Sequence, residues 1–526
     1  MTDSPQPASP APERVSAAQF CDTVLDPGSF RPWDTAPVRP TPPDEDYAAS
    51  LARAADRAGT DESVLTGAAT IDGRQVAVVV GEFAFLGGSI GVAAAERIVR
   101  AVERATAEGL PLIAAPTSGG TRMQEGTLAF VQMIKIAAAV ELHKQAHLPY
   151  LVYLRHPTTG GVFASWGAQG HVTFAQPGAM IGFLGPKVYA ALYGEDFPTG
   201  VQQAENLFRH GIVDAVVPVA ELRGRLARAL RVLTATPTGG ENAGGDDAGG
   251  ADAAGPAPAG PDDTVDPAHL PDVPAWQSIM LTRRADRPGA RVLAALTEDL
   301  VPLSGTGEGE SESAMLLALA KIDGIGAVVL GQDRTGQSPS SPMGPGALRE
   351  ARRAMGLAEQ LRLPLVMVID TVGAALSVAA EEGGLAPEIA RCVADSVLLD
   401  TPVISLLLGQ GAGGGALALL PADRVLCAQH SWLAPLPPEG ASVIMHGDAS
   451  HAPQMAAEQG VRAQDLAADG IVDVIIAEKP DAAVEPDAFA ARVRRVVAAE
   501  LRALARLSPD VRRTTRLDRY RGLGLT

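Results

Sequence analysis

Residues 149–165 read PYLVYLRHPTTGGVFAS. The run Leu148-Pro149-Tyr150-Leu151-Val152-Tyr153-Leu154 is apolar and short, the mark of a strand buried on both faces. Gly160 and Gly161 follow at once, and then small and apolar residues. Two adjacent glycines are costly in backbone entropy. The turn therefore needs unusual dihedrals, or something approaches the backbone closely.

The second half of the chain repeats this pattern. TPVISLLLGQGAGGGALA (401–418) again runs from a buried strand into glycines and then small residues. RATAEGLPLIAAPTSGG (104–120) matches AEQLRLPLVMVIDTVGA (358–374), and HGIVDAVVP (210–218) matches DGIVDVIIA (469–477). The spacings agree as well. Gly120 to Gly161 is 41 residues and Gly373 to Gly415 is 42, while Gly161 to Gly211 is 50 and Gly415 to Gly470 is 55. Three landmarks in order indicate an internal duplication, with a period too long for a solenoid. Residues 236–263, TPTGGENAGGDDAGGADAAGPAPAGPDD, have almost nothing to bury and read as a flexible linker between the halves. The organisation expected is a disordered Pro- and Ser-rich segment over 1–15, a domain over 16–235, the linker, and a domain over 264–526. Each half alternates apolar runs with amphipathic helices (Val92–Ala107, 131–146, 348–361), which is α/β patterning.

Totals bound the function. In 526 residues, Lys plus Arg is 43 and Asp plus Glu is 61, a net charge of −18. Such an acidic surface argues against nucleic-acid binding. Cys21, Cys392 and Cys427 form no CxxC pair, so neither a zinc ribbon nor a disulfide framework is expected, and a reducing compartment is. The N-terminal stretch has no basic and apolar regions of the signal-peptide kind. No uninterrupted apolar run approaches the ~20 residues of a membrane span, so no membrane partner is expected.

Glycine between a strand and a helix is often only a tight turn. Its functional reading is an oxyanion hole. A helix start leaves N–H groups unpaired at the positive end of its dipole, and glycine removes the Cβ that would shield them. Competing motifs are weak. Gly409, Gly411 and Gly414 match GxGxxG, but Pro421 follows after about two turns and Asp423 comes too early for a ribose. No GxxxxGK[ST], GxSxG or HExxH occurs. Glu125 and Glu382 follow the first glycine landmark of each half. They could serve as a general base. A charge at a helix start, or one half of an ion pair, is the reading preferred.

FAFLGGSIG (83–91), SGGTRMQEG (118–126), PTTGGVFAS (157–165) and PGAMIGFLGPKV (177–188) lie in the first half. IDTVGA (369–374), GQGAGGGALAL (409–419), PPEGASVIMHGDASHAP (437–453) and DLAADGIVDVII (465–476) lie in the second. With these motifs in this order, from about Ala17 to the C-terminus, the chain resembles the carboxyltransferase component of biotin-dependent acyl-CoA carboxylases. The match is close to the acetyl-CoA carboxylase type with beta-like and alpha-like subunits fused. The resemblance implies two crotonase-like ββα-superhelix domains in tandem. It implies cytoplasmic carboxyl transfer from carboxybiotin, borne on a biotin carboxyl carrier protein and charged by biotin carboxylase, to acetyl-CoA or a short homologue. In that chemistry biotin itself takes the α-proton, and two enolate oxygens develop. Two holes are then expected, Gly160-Gly161 in one and Gly415-Ala416 in the other, with Gly119, Gly120, Gly373 and Gly414 beside them as cofactor-binding residues. Phe85, Leu86, Gly87, Gly88 and Ser89 would hold the CoA nucleotide, and Arg122 and Lys187 would meet its phosphates unless they are ordinary surface charge. A homo-oligomer, at least a dimer, and no metal are implied.

Two departures stand out. The beta-like zinc ribbon is replaced by AAQFCDTVLDPGSFRPWD with one Cys, and the usual Pro and Tyr of IDTPGAY are Val372 and Ala375. Ala416, Leu417 and Ala418 follow the second hole closely, and the small residues there would leave room for an acyl chain longer than acetyl. Rival functions are a carrier-independent decarboxylase or hydrolase acting on a CoA thioester, and a non-catalytic scaffold.

Overall fold

The computed structural model describes residues 12–523, apart from 13, 40–42, 184–194, 196, 236–258, 261, 296, 339–341 and 376. Most of the expected linker, and most of the segment 1–15, therefore lies outside the described residues. The chain forms two compact units, the first up to Leu230 with Gly307–Glu310, the second Arg231–Thr306 with 311 onward. At the linker's far end Asp263 is already part of the second unit, its carboxylate bound by Arg495 at 2.6 and 2.9 Å. A Gly-rich composition did not reveal that anchor.

The first unit holds β1 (Arg31–Pro32), β2 (Val64–Ile71), β3 (Arg74–Gly81), β4 (Leu112–Ala115), β5 (Tyr150–Leu154), β6 (Thr158–Thr159), β7 (Val172–Ala175), β8 (Ile181–Gly182) and β9 (Ala215–Val216). Its main sheet runs β1-β2-β3-β4-β5-β7-β9. The second unit holds β10 (Thr264–Val265), β11 (Glu298–Leu303), β12 (Met315–Ile322), β13 (Ile325–Gln332), β14 (Leu365–Thr371), β15 (Val403–Ala412), β16 (Arg424–Ala428), β17 (Trp432–Ala434) and β18 (Val474–Ile476). Its sheet runs β11-β12-β13-β14-β15-β16-β18-β10, with β17 beside the end of β15. In each unit an antiparallel hairpin leads into parallel strands joined through helices. The hairpins turn at the same dipeptide. Asp72-Gly73 has φ of 53° and 75°, and Asp323-Gly324 has 49° and 84°, the left-handed pair that a tight two-residue hairpin requires.

Every residue of β5 and β15 is buried, as the apolar runs predict. Helix Val92–Ala107 has the predicted bounds. The other two begin earlier, at Gly126 and at Pro345, where proline suits the first turn of a helix. In the first unit Ile98, Val102, Met133, Ile136 and Val140 of the paired helices close over Val79, Leu112 and Val152 of the sheet. Among the described residues, Met123–Gln145 is long and apolar enough to cross a membrane, with 33% of that window buried. Its buried residues serve this core, while Leu128, Phe130, Ile134 and Leu142 are exposed.

Candidate active site

Both glycine landmarks form the same local structure twice. In the first unit Thr159 is extended, Gly160 reverses to φ +64°, and a 3-10 turn Gly160–Val162 begins. In the second, Ala412 is extended, Gly413 reverses to φ +65°, and a short helix Gly413–Leu417 begins. This reversal is what demands glycine, since L side chains are strained there. A second glycine lies against each. Gly120 (φ +115°) donates its N–H to Ser118 Oγ at 3.0 Å, and that hydroxyl reaches Gly120 O at 3.2 Å. Gly373 (φ +121°) and Thr371 Oγ1 make the same pair of bonds at 3.1 and 3.2 Å. A Cβ on Gly120 would lie 3.8 Å from Thr159 O, and one on Gly373 would lie 3.8 Å from Ala412 O.

These angles correct the register read from spacing. Gly120 to Gly160 is 40 residues and Gly373 to Gly413 is also 40, so Gly161 matches Gly414 rather than Gly415. Three consecutive glycines made the sequence ambiguous, and the left-handed residue settles it. The donor set of the second unit moves with it. In a helix beginning at Gly413, the N–H of Ala416 is the first with a carbonyl four residues back, at Ala412. The N–H groups left without an internal acceptor are those of Gly413, Gly414 and Gly415; of the expected Gly415-Ala416 pair, Gly415 is among them and Ala416 is not. In the first unit Gly160 and Gly161 keep that position. Gly160, Gly161, Gly413 and Gly414 are half-buried, while Gly415 and Ala416 are buried. Larger residues would have to displace neighbouring side chains: a Cβ would stand 3.2 Å from Met133 Cγ at Gly161, 2.6 Å from Ile389 Cδ1 at Gly414 and 2.3 Å from Met343 Cε at Gly415.

The structure gathers the other first-half candidates around this turn. Phe85 is buried beneath Leu51 and Ala54 of helix Glu45–Ala58. Leu86, Gly87 and Gly88 are all left-handed (φ 46°, 67° and 64°). A non-glycine residue held there marks stored strain of the sort found at ligand sites. A Cβ on Gly88 would collide with Thr117 O at 2.2 Å. Gly119 N–H donates to Gly87 O at 2.8 Å, and Ile90 N–H to Gly120 O at 3.0 Å. Loop 85–90, Gly119, Gly120 and Gly160 are thus stitched into one surface.

Arg122 does not lie on that surface. It is fully buried and donates to both Glu62 oxygens (3.0 and 2.5 Å), Ser63 Oγ, and Ser89 O at 2.7 Å. Burial alone would lower its pKa; the Glu62 carboxylate more than reverses that. With its donors committed, Arg122 braces Ser89 from beneath, and no face is left for a phosphate. Lys187 lies outside the described residues. Glu125 has the structural job preferred for it. It accepts the Val92 N–H at 2.6 Å at a helix start and the Tyr47 hydroxyl at 2.5 Å. Burial and that bond push the Tyr47 phenol up to about 12. Glu382 ends the exposed short helix Val378–Glu382. Of the GxGxxG glycines, Gly409 and Gly411 serve packing. A Cβ on Gly409 would lie 2.5 Å from Asp370 Oδ1, and one on Gly411 2.7 Å from Trp432 O. Val372 is 56% exposed; Ala375 is buried, its N–H on Met343 O at 2.8 Å. Among the described residues no cluster of three or more His, Cys, Asp or Glu side chains could hold a metal ion.

Residues 14–217 match the carboxyl transferase domain family, and residues 266–524 match acetyl co-enzyme A carboxylase carboxyltransferase-like proteins. The chain is 58% identical to the probable biotin-dependent acyl-coenzyme A carboxylase beta3 subunit of Mycobacterium tuberculosis, over 97% of this chain and 99% of that one. The chain belongs to the carboxyltransferases of the biotin-dependent acyl-CoA carboxylases. It is also 38% identical to the acetyl-coenzyme A carboxylase carboxyl transferase subunits beta/alpha of Parafrankia, over 97% of this chain and 86% of that one. Its fold is that of the transcarboxylase 12S core (TM-score 0.72, 21% identity, 93% of this chain and 90% of that one). The two tandem units are therefore crotonase-like domains, and each half matches a carboxyltransferase family.

Sequence reasoning missed the side chains that hold the glycines. Ser118 and Thr371 each stand two residues before a left-handed glycine, a hydroxyl-x-Gly signal present in both halves. Glu62, Gln332 and Asp370 left no such signal, because their partners are remote in sequence.

Proposed function

We propose that this carboxyltransferase moves the carboxyl group of carboxybiotin, borne on a biotin carboxyl carrier protein and charged by a biotin carboxylase, to the α-carbon of acetyl-CoA or a short homologue. The observation that carries this reading is the twice-built turn, with a left-handed glycine at φ +64° in one unit and +65° in the other. Each turn presents N–H groups with no Cβ in the way, which suits an oxygen that gains negative charge. The α-proton of the thioester goes to biotin as the carboxyl group goes to carbon, so no side-chain base is required. That suits Glu125, whose oxygens are occupied. Among the first-unit candidates, loop Phe85–Ser89 is the element suited to the CoA nucleotide. Ala416 and Ala418 are fully buried beside the second turn and Leu417 is 51% exposed, so the acyl chain length accepted is left to the substrate panel below.

A homo-oligomer is part of the proposal. Helix Gly126–Gln145 leaves Leu128, Phe130, Ile134 and Leu142 between 50 and 72% exposed, a face that another protomer would cover. The cytoplasm is the proposed location, supported by three buried free cysteines. The test is incubation with biotin carboxylase, biotinylated carrier, ATP, bicarbonate and acetyl-, propionyl- or butyryl-CoA, with mass analysis of the products. Carrier-dependent carboxylation is expected. Gly161→Val should lower turnover on the order of 100-fold or more while carrier binding persists. Product without carrier, or none with it, would refute the reading.

A further inference from the structure

A hole built of glycine amides carries a physical problem. Donors stabilise a transition state only if already in place, and glycine is the residue with the most conformational freedom. In each unit one buried side chain answers this, by holding the carbonyl of the last free-donor glycine. Gly161 O receives the Ser165 hydroxyl at 2.5 Å. Its turn closes through other carbonyls, since Ala164 N–H goes to Gly160 O and Ser165 N–H to Val162 O. Gly415 O receives Gln332 Nε2 at 2.7 Å. The short helix does not serve that carbonyl either: Ala418 N–H goes to Gly414 O and Leu419 N–H to Ala416 O. Gln332 is fully buried at the end of β13, and its Oε1 accepts the Asp370 N–H of β14 at 3.2 Å. The amide thus ties two strands of the sheet to the glycine helix.

We propose that Ser165 and Gln332 are positioning residues for carboxyl transfer, each locking the backbone of the glycine donors in its own unit. The proposal rests on the carboxyltransferase reading above. Holding the carbonyl restricts the dihedral ψ of Gly161 and of Gly415, so the neighbouring N–H groups stay aimed without help from the ligand. Ser165→Ala and Gln332→Met remove the bond and keep most of the volume, while Ser165→Thr restores a hydroxyl.

The experiment uses the full chain with biotin carboxylase, biotinylated carrier and acetyl-CoA. Ser165→Ala and Gln332→Met are each expected to lower kcat on the order of tenfold or more, with KM for acetyl-CoA within about twofold and Ser165→Thr near the parent. A kcat within about twofold of the parent in both variants overturns the proposal. So does a loss that merely tracks a fall in melting temperature or folded fraction. Hydrogen–deuterium exchange over 412–420 reads the lock without turnover. Gln332→Met should speed exchange there several-fold and leave distant segments unchanged; unchanged exchange at 412–420 overturns the proposal. If the parent transfers no carboxyl group, the functional reading fails by itself, and exchange alone decides on the lock.

Discussion

Glu62→Gln separates two roles for Arg122, brace and phosphate ligand. Both side chains of the pair are 0% exposed, joined at 3.0 and 2.5 Å. Glutamine keeps the shape and removes the charge. The guanidinium would then be buried with neutral acceptors, Ser63 Oγ and Ser89 O, and with Glu125 Oε1 at 3.6 Å as its remaining carboxylate. Leaving one member of a buried pair wholly uncompensated costs about 3–5 kcal/mol, and the Glu125 carboxylate holds this variant to the lower end. At 2–4 °C per kcal/mol for a unit of this size, the first unit should melt roughly 6–12 °C lower. Arg122→Met should also destabilise, because Glu62 keeps only Arg39, at 3.3 Å, and its own Ser63 N–H. The double variant Glu62→Leu/Arg122→Met should lose less than the two single losses added together, since neither charge is stranded. Calorimetric melting gives the stability arm, and KM for acetyl-CoA at a temperature where all variants are folded gives the other. A brace predicts a large melting shift and little change in KM. A melting point within about 1 °C of the parent, with KM raised tenfold, would refute the structural role and restore Arg122 as a phosphate ligand.

Asp370 is fully buried, and desolvation, opposed in part by Arg334, raises its pKa from 3.8 to about 6. Its folded form therefore holds a proton through a window where the unfolded chain has lost it, so stability falls as pH rises between those values and is flat above. The total is ~3 kcal/mol, and in Asp370→Asn this slope should vanish from melting curves taken between pH 4 and 7. A parent and variant with parallel curves would count against it. Phe130→Glu with Ile134→Glu places charge on an apolar face whose members are 62 and 72% exposed. It should shift the protein to a smaller species by light scattering, whereas an unchanged mass would show that this face is not the contact. Gly409→Ala forces a Cβ to within 2.5 Å of Asp370 Oδ1, at a cost of about 1–3 kcal/mol in thermal or urea unfolding. Asp370→Ala should relieve that clash in the double variant.

The duplication was legible because it resides in backbone chemistry that sequence records directly. A buried apolar run followed by glycine recurs in order in both halves, and the structure adds the Asp72-Gly73 and Asp323-Gly324 hairpin turns. What sequence did not record is which N–H groups remain free. That depends on where the helix begins, and Gly413, Gly414 and Gly415 look alike as letters while only Gly413 of the three is left-handed. Nor could it show that Arg122 is buried against Glu62, since 60 residues separate the partners. The same limit explains why Gln332 was invisible: its partners Asp370 and Gly415 are 38 and 83 residues away. Glycine is chosen at these turns for what it lacks, so rigidity has to come from elsewhere in the fold. Ser118 and Thr371 hold the inner glycines, and Ser165 and Gln332 hold the outer ones. Comparing the halves gives this arrangement its force. The inner locks are equivalent hydroxyls at equivalent positions. The outer locks differ in residue type and in origin, one four residues along the chain and one on another strand, yet both end on a glycine carbonyl that its own turn leaves unserved. A requirement met by two unrelated side chains points to the held carbonyl, rather than to either residue, as the feature that these turns need.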